Sequence, residues 1–112
     1  MVDRSSVTQL LGEVGATATA GMIDRFLDML PARVARLRRA VAAGELPELR
    51  DATLSLGCSA TMLGAHPLAA ACERCRTTDR ASAQTALAEV ERVAPLTSQE
   101  LLSALPGLSS GR

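Results

Sequence analysis

Aromatic residues and lysine are almost missing from this sequence. Phe26 is the single aromatic residue among 112, and every basic residue is an arginine. A protein with so few aromatic rings cannot build stacking platforms for nucleic-acid bases. The 12 basic residues are balanced by 12 acidic ones, so no surplus of positive charge exists to neutralise phosphates. We therefore expect no nucleic-acid partner.

Long apolar runs are missing as well. No stretch approaches the roughly 20 apolar residues of a membrane span, and no apolar run of a signal peptide follows the first residues. We expect a cytoplasmic protein that does not cross a membrane. The three cysteines, Cys58, Cys72 and Cys75, form an odd set, which in that compartment favours reduced thiols over disulfides.

Groups that could bind a metal or catalyse a reaction are few. Cys72 and Cys75 form a C-x-x-C pair that could, with Cys58 and His66, supply four zinc ligands. Cysteine is also a frequent core residue, and no second C-x-x-C is present, so the core interpretation is favoured. With one histidine and no nucleophile elbow or glycine-rich loop, we expect no enzyme, no metal and no cofactor.

Helix-forming residues dominate what is present, chiefly alanine, leucine and arginine. From Thr17 to Ala43 apolar residues recur every three or four positions, which predicts one long helix with a buried face. Pro31 should kink this helix, and Gly44 should end it. The residues of the predicted buried face are Met22, Phe26, Met29, Leu30, Val34, Leu37 and Val41.

Shorter helices are predicted on both sides of this one. Short connections between amphipathic helices predict an all-α, antiparallel up-and-down four-helix bundle with a short extra N-terminal helix. We expect one domain over residues 1–105 and a flexible tail over 106–112. The short N-terminal helix carries Val7, Leu10, Leu11 and Val14 and ends at Gly15. Two helices follow the long one, from Pro47 to about Leu63 and from His66 to about Arg76. The last helix begins at about Ser82, is interrupted by Pro95, and starts again from Thr97 to Leu105.

The segment from Ala52 to Ala65 resembles the signature helix of histidine-phosphotransfer (HPt) domains, A-H-x-L-K-G-S-S-x-x-L-G-A. The preceding segment, with Phe26, Pro31 and a terminal glycine, is also similar to that family's preceding helix, and the resemblance covers about residues 10 to 94. It implies a helical bundle that acts in two-component signalling. The matching residues of the signature are Ala52, Gly57, Ser59, Leu63, Gly64 and Ala65, with Cys58 close to the first serine.

The differences from this signature fall on its chemistry. The family's phospho-accepting histidine corresponds to Thr53, its lysine to Leu56 and its intervening leucine to Ser55. A threonine hydroxyl is a poor nucleophile without an adjacent base, and no charge at position 56 would stabilise a transferring phosphoryl group. The resemblance therefore implies an HPt domain with a degenerate acceptor position at Thr53, on a solvent-facing part of the helix.

One side of this helix is a candidate docking surface, because in the family the side that bears the histidine and glycine faces the receiver domain. At 100° per residue, that side holds Leu49, Thr53, Leu56, Gly57 and Ala60. Leu56 has two interpretations: it belongs to the core, since Leu49, Leu56 and Leu63 are seven residues apart, or to an exposed apolar docking patch.

Three functions remain open at this point. The first is a signalling module, a monomer or weak dimer, that docks a response-regulator receiver domain or a histidine kinase without carrying phosphate. The second is an active phosphotransfer protein that uses His66, although a histidine beside Pro67 is placed at the end of the bundle. The third is a structural or dimerisation bundle unrelated to phosphorelay.

Overall fold

The computed structural model describes the backbone of residues 4–110 and the side chains of residues 15 and 17–104. No strand occurs in residues 4–110, so the all-α prediction is confirmed. The helices are α1 (Arg4–Ala43), α2 (Leu46–Met62), α3 (His66–Arg76) and α4 (Ala83–Ser110). None of these helices, over the described residues, is long and apolar enough to cross a membrane.

The four helices form a closed ring of neighbours. Helix α1 packs against α2 and α4, and α3 packs against the same two helices. Short turns join α1 to α2 and α2 to α3, so consecutive helices run antiparallel, as in the predicted bundle. Salt bridges tie neighbouring helices at the surface, among them Arg36–Glu48, Arg38–Glu91 and Arg74–Glu89. Such exposed pairs contribute little to stability, which rests on the core between the helices.

Gly15 divides α1 into a short stretch and a long one. Its φ of 84° and ψ of 165° lie in a region that is essentially restricted to glycine, and it is the point inside α1 where the backbone leaves helical values. The prediction that a short N-terminal helix ends at Gly15 therefore agrees with the backbone. The side chains of that short helix lie outside the described residues. Pro31 is exposed on the outer side of α1, and the backbone stays helical through it.

The buried face of α1 differs in part from the predicted one. Phe26, Leu30, Val34 and Leu37 are buried as predicted, but Met29 is 48 % exposed, and that part of the prediction is wrong. The buried face also includes Thr19, Ile23 and Ala40, while Met22 and Val41 are half-buried. Thr19 and Ala40 are small or polar residues of the kind that line a closely packed helix–helix contact, whereas Ile23 is a large apolar residue that occupies the core beside Phe26.

Two glycines end α1 and α2 in the same way. Gly44 and Gly64 have φ of 68° and 71°, the left-handed conformation that glycine adopts without strain. The residue after each glycine then donates its backbone N–H five residues back, Glu45 to Ala40 at 2.9 Å and Ala65 to Ala60 at 2.8 Å. These bonds satisfy helix-end carbonyls and turn the chain sharply, which places α2 beside α1 and α3 beside α2.

The C-terminal helix is longer than predicted. Residues 83–110 form the single helix α4, so the predicted interruption at Pro95 and restart at Thr97 are wrong. The Thr97 hydroxyl does not cap a new helix but bonds the Val93 carbonyl at 3.1 Å, in the buried interior of α4. The backbone is helical over residues 106–110, and the flexibility predicted for residues 106–112 stays a prediction. Packing of Val93, Ala94 and Leu101 against the core supports the helix across the proline.

The core makes a direct prediction about stability. Leu37 is completely buried in the middle of α1, so Leu37→Ala should lower the free energy of unfolding by about 2–5 kcal/mol. Met29→Ala, on the exposed side of the same helix, is the matched control and should change it by less than about 1 kcal/mol. Urea denaturation of both variants measures the difference, and equal effects would contradict the assignment of the buried face.

Candidate functional site

The solvent-facing side of α2 carries no charge over its last three turns. No ionisable acid or base other than Cys58 occurs between Ala52 and Ala65. Along this side Leu54 is 53 % exposed and Met62 is 57 % exposed, with Ser55, Cys58 and Thr61 exposed between them. A surface helix with half-exposed leucine and methionine and no charge is unusual for a face that contacts only water.

Thr53 does not lie on this solvent-facing side. Its side chain is 1 % exposed, and its hydroxyl bonds the carbonyl oxygens of Leu49 at 2.8 Å and Arg50 at 3.0 Å. The prediction that Thr53 faces solvent is therefore wrong. The hydroxyl donates within its own helix and is covered from solvent, so the folded protein does not present it to a phosphate donor.

The prediction of a docking surface on this side of α2 is also wrong, because most of its residues are buried. Leu49, Leu56 and Ala60 are buried in the core, which confirms the core interpretation of Leu56. Gly57 is half-buried against α3, where an added Cβ would lie 3.3 Å from the Cβ of Cys72. This glycine thus permits close packing of α2 on α3. Helical geometry correctly grouped these residues on one side, but it could not tell which side is covered.

Burial also decides how the family signature aligns with α2. In A-H-x-L-K-G-S-S-x-x-L-G-A the histidine precedes the leucine of L-G-A by nine positions, whereas Thr53 precedes Leu63 by ten. Alignment on Leu63 therefore places Leu54, not Thr53, at the histidine position. The signature's first alanine and internal leucine then fall on Thr53 and Leu56, both buried.

The alternative alignment conflicts with the structure. With Thr53 at the histidine position, the internal leucine of the signature falls on exposed Ser55, and its lysine falls on Leu56, which is 0 % exposed. A phosphate acceptor has to be accessible and a lysine has to reach solvent. We therefore assign Leu54 to the acceptor position, Gly57 to the lysine position and Cys58 to the position of the following glycine.

Leu54 lies at a shallow depression between α2 and α3. The polar groups that α2 contributes to this depression are neutral. Among them, the Thr61 hydroxyl donates a hydrogen bond to the Gly57 carbonyl at 2.9 Å. Glu73 is the ionised side chain of its lining, and hydrogen bonds from Arg76 lower the pKa of this carboxyl and keep it anionic. The depression is lined by Thr53, Leu54, Gly57, Cys58, Thr61, Ala69 and Glu73.

A second groove lies on the other side of α2, against α1. Its lining is mainly apolar, and Arg33 crosses it to donate a hydrogen bond to the Ser59 hydroxyl at 3.0 Å. Met29 of α1 and Met62 of α2 are both half-exposed here, so apolar groups from the two helices are exposed in this groove beside Arg25 and Arg33. The groove is lined by Met22, Arg25, Phe26, Met29, Arg33, Ser59, Met62 and Leu63.

His66 lies far from the acceptor position. It is the exposed first residue of α3, and its backbone N–H bonds the Gly64 carbonyl at 2.9 Å. Leu54 precedes the end of α2 at Met62 by eight residues, which corresponds to about 12 Å along the helix. His66 is therefore at the end of the bundle, as the sequence indicated, and outside the depression at Leu54.

Two of the three cysteines are core residues, as predicted. Cys72 and Cys75 are buried where α3 faces the other helices. Desolvation by burial raises the pKa of both thiols, that of Cys72 to about 12, so both remain protonated at neutral pH. In the described part of the chain, no group of three or more His, Cys, Asp or Glu side chains comes together in a geometry suited to a metal.

Comparison with known protein families agrees with the helical fold. A profile of the Hpt domain family matches residues 21–107, which include most of α1, all of α2 and α3, and most of α4. The chain therefore belongs to the Hpt domain family, a class of phosphotransfer modules in two-component phosphorelays. Neither the comparison with curated proteins nor the comparison with solved structures found a match.

The alignment of the signature predicts how introduced histidines behave. Leu54→His should fold and present an imidazole to solvent, because the side chain at position 54 is half-exposed. Thr53→His should lose several kcal/mol of stability, because it forces a large polar ring into a buried position. Treatment with phosphoramidate and detection of acid-labile phosphohistidine, with His66→Ala as the background, should give a signal for Leu54→His. The alignment is wrong if the Thr53→His protein is the one that folds stably and becomes modified.

The thiols make an independent prediction. A thiol reagent such as dithionitrobenzoate should modify one of the three cysteines in the folded protein, namely exposed Cys58. Cys72 and Cys75 should react after unfolding, because burial excludes the reagent and their raised pKa leaves little thiolate. Cys58→Ala should abolish the native-state reaction. Rapid reaction of that variant would show that the C-x-x-C pair is accessible.

Proposed function

We propose that this protein is a docking module of a two-component system that binds a receiver domain or a histidine kinase and carries no phosphate itself. The observation that supports this most strongly is at the acceptor position, where an exposed leucine replaces the histidine. The helical fold of the family is kept, while the reacting group is absent. The docking partner would lie over the uncharged side of α2.

The chemistry at this position argues against phosphate transfer. Transfer to and from a receiver aspartate uses an imidazole nitrogen as nucleophile, because the resulting phosphoramidate is labile. Leu54 has no nucleophilic atom. Gly57, at the lysine position, offers no charge to stabilise a transferring phosphoryl group. The depression thus lacks both contributions that the family's mechanism requires.

The exposed surface supports a protein partner. Leu54, Met62 and Met29 are each about half-exposed. Leu54 lies in the depression between α2 and α3, and the two methionines line the groove between α2 and α1, so apolar groups are exposed on both edges of α2. Apolar groups that are grouped and flanked by polar ones, such as Arg33 and Glu73, are typical of a protein interface. Methionine side chains adapt to different partner shapes, which suits a docking surface.

The proposed docking predicts a position-specific loss of binding. Receiver domains and histidine-kinase cores from the same organism would be tested by biolayer interferometry against the wild type and Leu54→Arg. We expect at least one partner to bind, and Leu54→Arg to weaken it at least tenfold, a typical effect of disrupting a central apolar contact. Leu102→Arg on α4 is the matched control, because Leu102 is 54 % exposed on another side of the bundle, and it should bind normally.

Phosphate transfer is tested in the same system. Incubation of the wild type with a radiolabelled phosphoreceiver should give no labelled product. Acid-labile label on the wild type that disappears in His66→Ala would replace this proposal with an active phosphotransfer protein that uses His66. A lack of binding to every receiver and kinase domain would favour a structural bundle.

A further inference from the structure

Methionines are concentrated in the groove between α1 and α2. The sequence contains four methionines, and three of them, Met22, Met29 and Met62, line this groove. Phe26 and Leu63 also line it and are buried, so they form its apolar floor. Because thioether side chains are unbranched and repack easily, this lining suits an apolar segment of variable sequence.

The shape of the groove fits a helix. Along α1 its lining residues are spaced three or four positions apart, from Met22 through Met29 to Arg33, so they form one face of α1. Eleven positions separate Met22 from Arg33, which corresponds to about 16 Å along the helix axis, or about three turns. An amphipathic helix of that length can place apolar residues along the groove at the same spacing.

The charges that line the groove have one sign. Arg25 and Arg33 are its two ionised residues, and no carboxylate among the described side chains lines it. Asp24 and Asp28 are exposed on α1, but each precedes a lining residue by one position, about 100° around the helix, and neither is part of the lining. A segment that enters the groove therefore meets an apolar floor beside two cations.

These two cations are not neutralised within the described part of the chain. The Arg33 guanidinium donates to the Ser59 hydroxyl at 3.0 Å and contacts the Met29 sulfur at 3.9 Å, and both of these partners are neutral. Arg25 forms no ion pair with a described carboxylate, whereas Arg36 of the same helix is paired with a glutamate of α2. Both guanidinium groups can therefore bond a carboxylate that a partner supplies.

We propose, on the basis of the proposed docking function, that the groove between α1 and α2 binds an amphipathic helix of the partner and that Arg25 and Arg33 select helices with carboxylates beside their apolar residues. The apolar residues of this helix would pack on the methionines. Its carboxylates would pair with the two arginines, which adds specificity to an otherwise adaptable apolar contact.

The test uses two fluorescent peptides that differ in charge. Each has about 15 residues, the length at which an isolated helix becomes marginally stable, with leucine at every third or fourth position. Glutamates flank the leucines in one peptide, and lysines replace these glutamates in the other. Fluorescence anisotropy with the wild-type protein should show about tenfold tighter binding of the glutamate peptide. Equal binding of the two peptides, or binding of neither, would overturn the proposal.

A charge reversal tests whether the two arginines cause this preference. The double variant Arg25→Glu/Arg33→Glu keeps the apolar lining, so it should still bind a peptide but now prefer the one with lysines. Arg50→Glu reverses an exposed arginine of α2 outside the lining and is the matched control, which should keep the wild-type preference. A preference for the glutamate peptide that survives the double reversal would overturn the role of these arginines.

NMR of isotope-labelled methionine methyl groups locates the bound peptide. The signals of Met22, Met29 and Met62, assigned by single Met→Leu substitutions, should shift with the glutamate peptide, and unmoved signals would overturn the groove as its site. The docking function fails separately: peptide binding here with no receiver or kinase domain bound would overturn docking and keep the groove. Binding of a receiver or kinase domain together with equal binding of the two peptides would overturn the groove proposal alone.

Discussion

The rotational setting of α2 within the bundle is the constraint on which the site depends. Packing of α2 between α1 and α3 buries Thr53, Leu56 and Ala60, and this leaves Leu54 and Cys58 on the outside. A rotation of about 100°, equal to one residue, would exchange Leu54 for Thr53 at the surface. Gly57 stabilises the present setting, because the absence of a Cβ lets α3 approach through Cys72.

Much of the fold could be predicted from the sequence because its signals are local. The ends of α1 and α2 follow from Gly44 and Gly64, whose left-handed conformation is a property of the residue type. The continuity of α4 could not be predicted in this way. Pro95 is unfavourable inside an isolated helix, but tertiary packing on both sides of it supports the helix in the folded protein.

The site was harder to predict than the fold. The two alignments match different parts of the signature. With Thr53 at the histidine position, Ala52 and Gly57 match its first alanine and its glycine, whereas with Leu54 there, Leu56 matches its internal leucine. Burial, which depends on long-range packing, distinguishes exposed Leu54 from buried Thr53. The signal that could have revealed the correct alignment was the spacing from Leu63-Gly64-Ala65 back to the acceptor position.

Titration of isotope-labelled protein with an unlabelled receiver domain, followed by amide chemical-shift changes, tests most directly whether the uncharged side of α2 around Leu54 contacts a two-component partner. We expect the largest changes at Leu54, Cys58 and Thr61, and small changes along the outer side of α4 at Leu102. Changes centred on α4 or on His66 at the end of the bundle, with the α2 signals unmoved, would contradict it.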